Sequence, residues 1–158
     1  MGKTTSGRFL VVGLVGLALA SVGCGDDGNA LSQFVGTWKY NVSNAHLTCT
    51  DGTDQTGALT AMKRWGRGVS SDLVDLSRTC DYRFDVNDKK ASIQRPQTCK
   101  FDDGSGTGSQ ATEMPNVWVF TLLSAISAEE TMETVTTYID TVSCTLTATS
   151  TLDKVSAD

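Results

Sequence analysis

The chain has 158 residues and a single histidine, His46. Sites built on several histidines are therefore excluded, and any Ser-His-Asp or Cys-His triad would rest on His46 alone. Two prolines and 15 glycines do not suggest a collagen-like or proline-rich disordered chain. Basic residues are in the minority, 13 Lys and Arg against 18 Asp and Glu. That balance removes the basic face a nucleic-acid binder needs. No C-x-x-C pair occurs and the cysteine spacings are wide, which disfavours zinc. No catalytic residue set, metal site or cofactor is expected.

An apolar run long enough to span a bilayer is also missing. Phe9 to Ala20 is apolar over 12 residues, whereas a spanning helix needs about 20. It follows a short segment carrying Lys3 and Arg8 and no acid. Ser21-Val22-Gly23-Cys24 and the polar stretch Gly25 to Asn29 come next. This order resembles a bacterial lipoprotein signal peptide with its lipobox. The resemblance implies removal of residues 1–23, cleavage between Gly23 and Cys24, and diacylglycerol on the Cys24 thiol. It departs from the family at Ser21, where Leu is usual. Gly25, in place of an Asp after the lipidated Cys, points towards the outer membrane by the enteric sorting rule.

Cleavage would leave 158 − 23 = 135 residues and take away Lys3 and Arg8, giving 11 basic against 18 acidic side chains, a net of −7. An acidic body stays off anionic membrane surfaces, so a lipid on Cys24 would supply the membrane attachment. Residues 24–33 read as the lipidated Cys and a flexible tether, and 34–158 as a single domain.

With Cys24 set aside, Cys49, Cys80, Cys99 and Cys144 remain. An even number in an exported chain implies two disulfides. Of three connectivities, Cys80–Cys99 with Cys49–Cys144 is preferred. A hairpin turning at Asn87-Asp88-Lys89-Lys90 places Phe84 opposite Ile93 and Val86 opposite Ala91. Cys80 then faces Gln97, one diagonal step from Cys99, and a bulge near Pro96 would close the gap. The second bond would join the first strand to the last. Bonds closing loops of these sizes are worth roughly 3–5 kcal/mol in chain-entropy models.

The part from Cys24 onward has 20 threonines, many alternating with apolar residues, and period-two alternation recurs throughout. Trp38, Tyr40 and Val42 share one side of a first strand. The phase then slips to Ala45, Leu47 and Cys49, which implies a bulge or turn at Ser43-Asn44. Cys80, Tyr82, Phe84 and Val86 alternate with Asp81, Arg83 and Asp85. Val117 to Leu123 is apolar on both sides, as in a strand covered on both faces. Val142, Cys144, Leu146 and Ala148 form one side of a last strand. Shorter strands are expected at Ala58–Lys63, Asp72–Leu76, Ala91–Arg95 and Thr131–Ile139. Ser127 and Glu130 suit the cap of one helical turn. The expected fold is all-β, an antiparallel up-and-down β-barrel of about eight strands, with a β-sandwich as the alternative.

Phe34-Val35-Gly36-Thr37-Trp38 resembles the F-x-G-x-W opening of lipocalins and, more loosely, of avidin-type barrels. The resemblance implies that Gly36 permits the entry bend and that Trp38 plugs the closed end beneath a cation from the last strand. If Cys49 faces Cys144, antiparallel counting brings Lys154 beside Lys39 and Trp38, within reach of a cation–π contact.

Candidate chemistry is thin. His46 reads as a solvated strand residue. Asp51, Asp54, Asp102, Asp103 and Glu113 are candidate acid/base or Ca²⁺ residues. However, the Asp102–Gly108 stretch has neither EF-hand order nor phosphate-loop spacing. Glu129, Glu130 and Glu133 read as a solvated edge. Lys63-Arg64-Trp65-Gly66-Arg67 reads as a hairpin tip with Trp65 tucked back, or as a basic loop for headgroups or sugars. The function expected is that of a lipid-anchored envelope binding protein for a small apolar ligand or glycan, with Tyr40, Trp65 and Trp118 as ligand-binding candidates. The alternative is a structural or interaction lipoprotein with a filled core, which an interior packed solid around Trp38, Tyr40, Phe84 and Trp118 would favour. An enzyme is the third reading.

Overall fold

The computed structural model describes residues 27–69, 72–102, 109–138 and 142–157. The segment expected to be a signal peptide and Cys24 lie outside the described residues. A short helix, α1 (Asp27–Phe34), precedes nine strands: β1 (Gly36–Cys49), β2 (Asp54–Arg67), β3 (Leu73–Asp75), β4 (Arg83–Asn87), β5 (Lys90–Ile93), β6 (Cys99–Asp102), β7 (Gln110–Leu122), β8 (Ser127–Thr137) and β9 (Ser143–Ser156).

All pairings are antiparallel, and the sheet runs β5-β4-β3-β2-β1-β9-β8-β7-β6. A further β5–β7 ladder closes the ring. β5 and β6 are two pieces of one strand. Both lie antiparallel to β7, with Ser92 opposite Val119 and Cys99 opposite Glu113. The chain's two prolines sit at this break. Pro96 lies between the pieces, and Pro115 sits where the β8 register slips between Pro115 and Val117. Proline has no N–H to give to a ladder, so both tolerate only an interrupted strand edge. Counting β5 and β6 once, the fold is an eight-stranded up-and-down barrel, and the all-β expectation holds.

Local registers follow the alternation. Phe84 faces Ile93 and Val86 faces Ala91 across the hairpin at Asn87–Lys90. The β1 ladders shift between Val42 and Ala45, so the bulge falls at Ser43-Asn44 as the phase slip requires. Cys49 lies opposite Cys144, and the disulfide between them spans 4.0 Å from Cα to Cα. The second disulfide joins Cys80 and Cys99, with Cα atoms 5.8 Å apart. Two disulfides are the chemistry of an oxidising compartment outside the cytosol.

Four expectations need correction. The stretch to Gln33 is not all tether, because residues 27–34 fold into α1. Leu31 and Phe34, one helical turn apart, are buried against the end of the barrel. Residues 127–130 form no helical turn and instead start β8. There the Ser124 hydroxyl accepts the Ile126 and Ser127 N–H groups and makes a tight turn. Cys80 lies in the β3–β4 connection rather than on a strand. The outer face of β7 is less covered than expected, with Val117 and Val119 half-buried.

The closed end is built around Trp38, which has no solvent exposure. Its indole Nε1 donates to Phe34 O at 2.8 Å, and Lys154 Nζ donates to Gln33 O at 2.8 Å. Together they satisfy carbonyls left open at the end of α1. Lys154 pairs with Trp38 across β1–β9 and sits 5.2 Å from its ring centroid. Phe34 and Trp38 both meet Phe120 edge-on at 5.2 Å. Gly36 has φ +132°, and a Cβ there would collide with Ser156 O, so the entry bend requires glycine.

Candidate functional site: a cup over a buried ion pair

Inward positions of the lower barrel carry Trp38, Trp65, Phe84, Trp118 and Phe120, all without exposure, so this half is filled. Trp65 is not at a hairpin tip. It is an inward residue near the end of β2, 5.0 Å from the Phe84 ring and 5.2 Å from Phe120. The segment expected as a basic loop is β-strand, with Lys63, Trp65 and Gly66 buried and Arg64 and Arg67 outside.

The largest departure from sequence expectation is Glu130. Read as part of a solvated edge, it is 1 % exposed and forms the centre of the interior. Lys63 Nζ donates to both its oxygens, at 2.7 and 2.9 Å. Trp118 Nε1 donates to Oε1 at 2.6 Å. The ammonium lies 4.3 Å from the Tyr40 ring centroid and 4.8 Å from that of Trp118. Charge, indole and phenol thus form one desolvated network, the setting in which a polar group must be fully paired.

Beside it, the β3–β4 connection carries Arg78. The guanidinium lies 4.7 Å from the Trp118 ring centroid. Nη1 donates to Glu113 Oε1 at 2.7 Å, which also accepts Tyr82 Oη at 2.8 Å. The Cys80–Cys99 disulfide ties this connection to β6. Asp75, fully buried, accepts the Ser77 N–H at Oδ1. Its Oδ2 has no hydrogen-bond donor among the described residues, and Arg78 Nε is 3.8 Å away.

Between this floor and the solvent is a cup of about 280 Å³. Its walls are Val42, Leu59, Ala61, Met132, Leu146 and Ala148, and its polar floor includes Tyr40, Lys63, Asp75 and Arg78. Of the three aromatic candidates, Tyr40 reaches the cup. Trp65 and Trp118 are buried beneath it and offer no exposed ring. Sequence reasoning missed Lys63, Glu130, Asp75 and Arg78. Lys63 and Glu130 were findable by phase, since each occupies an inward position between apolar neighbours, Ala61 and Trp65 for one and Ala128 and Met132 for the other.

Both tyrosines on this network titrate late. Burial first, then the negative charge of Glu130, pushes the Tyr40 hydroxyl up to about 12. Burial and Glu113 raise Tyr82 as well. A phenol whose folded value exceeds its unfolded one contributes stability in full below the unfolded value near pH 10. That contribution is lost as pH climbs towards the folded value. Urea midpoints should therefore fall between about pH 10 and about pH 12, and Tyr40→Phe should flatten the decline.

The other candidates are not assembled into one place. His46 Nε2 lies 2.8 Å from Asp54 Oδ1 on the outer surface, both side chains well exposed. Asp51 lies in the β1–β2 turn, where the Thr53 N–H donates to it and holds its carboxyl below the usual range. Glu113 is on β7, Asp102 ends β6, and Asp103 lies outside the described residues.

The fold and this interior define the class: a closed antiparallel barrel, filled at one end and cupped at the other. No family model matches the chain, and no curated protein matches it. Among solved structures, it is similar to a protein of unknown function from the DUF3598 family of Nostoc punctiforme, at 15 % identity and a TM-score of 0.37. The match covers 79 % of this chain and 48 % of that one, so the chain spans about half the length of that protein.

Proposed function

We propose that this is a lipid-anchored envelope protein, tethered to a bacterial outer membrane through Cys24, that holds a small apolar ligand with a cationic or hydrogen-bond-donating end in the cup. The observation that carries this reading is an aliphatic wall standing on a charged floor in a barrel otherwise filled. Ligand sites of that kind are mostly apolar with a few placed polar groups. A glycan is less well served, because Trp65 and Trp118 present no stacking surface. The network around the floor favours a donor: three carboxylates (Asp75, and beyond the cup lining Glu113 and Glu130) stand against two cations (Lys63, Arg78), and Asp75 Oδ2 lacks a donor among the described residues. An amine or hydroxyl would complete it, whereas a carboxylate would add repulsion.

The test is a tryptophan-fluorescence titration with octylamine, octanol and octanoate. Saturable binding in the order amine, alcohol, acid is expected, with Asp75→Asn erasing the preference for amine. Absence of saturation with all three would leave the second reading, an interaction protein with a filled core. That reading is supported by the solid lower barrel and by Arg78 packing down onto the Trp118 ring.

A further inference from the structure

The closed end of the barrel carries an apolar surface that the cup does not use. β1 starts there with Gly36 opposite Trp65, and β9 ends there with Ser156 opposite Thr37. The β7–β8 turn sits at the same end, since Leu122 pairs with Ala128 and Ser127 with Asp153. So does the β2–β3 turn, which follows Arg67 opposite Leu73. The β4–β5 hairpin joins them, because the Lys89 carbonyl accepts the Leu122 N–H.

Large apolar side chains stand exposed on these turns and ends. Leu123 is 55 % exposed, Ile126 68 %, Val155 60 % and Val69 96 %. The Ile126 carbonyl accepts the Lys154 N–H, and the Leu123 N–H donates to the Ser127 carbonyl. Leu123, Ile126 and Val155 therefore lie together, on the β7–β8 turn and the adjoining end of β9. The described turn at the opposite end, residues 50–53, reads Thr-Asp-Gly-Thr. Apolar side chains gathered at one exposed place mark a contact surface, unlike the same residues scattered singly.

We infer that this end rests on the membrane, with Leu123, Ile126 and Val155 set into the lipid headgroup layer. The inference rests on the lipid anchor proposed above. What selects a bilayer as the occupant is where the chain leads. α1 packs on this end through Leu31 and Phe34, and its Gln33 carbonyl is held by Lys154, the neighbour of Val155. Cys24 precedes the first residue of α1 by three positions. Three residues of chain and one eight-residue helix keep Cys24 within roughly 25 Å of the patch. Acyl chains on Cys24 therefore bring this end to the bilayer, where exposed apolar side chains are buried and the exposed Lys89 and Lys90 meet lipid phosphates. The cup then opens away from the bilayer, and its guest enters from the aqueous side.

The test is the full chain, made in a bacterial envelope and reconstituted into phosphatidylcholine vesicles with plain or brominated acyl chains. Flotation first reports the anchor. The emission of Ile126→Trp is then compared with that of Gln55→Trp near the opposite end, both at exposed positions. Each is read against the wild type, whose three tryptophans are buried. Ile126→Trp is expected to shift to the blue in plain vesicles and to lose its added emission to bromine, and Val155→Trp to do the same from β9. Gln55→Trp is expected to do neither. Floating protein whose Ile126→Trp and Val155→Trp emission ignores bromine, as burial against a second copy would give, overturns the membrane-facing end and leaves the anchor standing. Equal quenching of Gln55→Trp overturns it too. Protein that does not float overturns the anchor and this surface with it.

Discussion

Lys63→Met alone is expected to destabilise the protein by about 3–5 kcal/mol. It leaves Glu130 without solvent exposure and its two hydrogen bonds from Lys63 lost, with the Trp118 indole still donating. The double variant Lys63→Met/Glu130→Leu removes both charges at nearly constant volume. It should return to within about 2 kcal/mol of wild type, the remaining deficit coming from the Trp118 N–H, which loses its acceptor. Urea denaturation of the two single variants and the double one measures the coupling directly. If Lys63→Met cost under about 1 kcal/mol, the pair would be behaving as a solvated surface contact.

Trp118→Ala should be the most damaging single aromatic truncation, at the upper end of the roughly 3–5 kcal/mol range for a buried Trp. The ring packs on Tyr82 at 5.4 Å and Phe84 at 5.3 Å, lies beneath Arg78 and beside Lys63, and donates to Glu130. Trp65 is equally buried, but its indole N–H has no acceptor among the described residues. Trp65→Ala should therefore cost about 1 kcal/mol less, the value of one net hydrogen bond. Equal losses in denaturant melts would mean that the polar network adds nothing beyond packing.

Most of the frame was legible because strand alternation writes register into sequence. Phe84 opposite Ile93, the slip at Ser43-Asn44, and Lys154 beside Trp38 all follow from counting with period two. The interior ion pair lies on the same readable phase but was set outside by its polarity. Polarity was used to assign residues outward, and Lys63 and Glu130 are charges on the inward phase. Each is tolerated only because a strand distant in sequence brings the other. Arg78 was hidden differently. It lies on an irregular connection, where no periodicity reports direction, and its place is fixed by the Cys80–Cys99 bond and Glu113. Helix α1 was missed because eight residues with two apolar anchors give too weak a pattern beside the neighbouring glycines.

The proposed mature protein is an exported, lipid-bearing barrel whose cup carries a small guest. Native mass spectrometry of the protein taken from its own cells tests all parts together. The expected species is residues 24–158 with acyl-glycerol mass on Cys24, four hydrogens lighter for two disulfides, releasing a small apolar molecule on collisional activation. A species retaining residues 1–23, without acyl mass and with four alkylatable thiols, would contradict it.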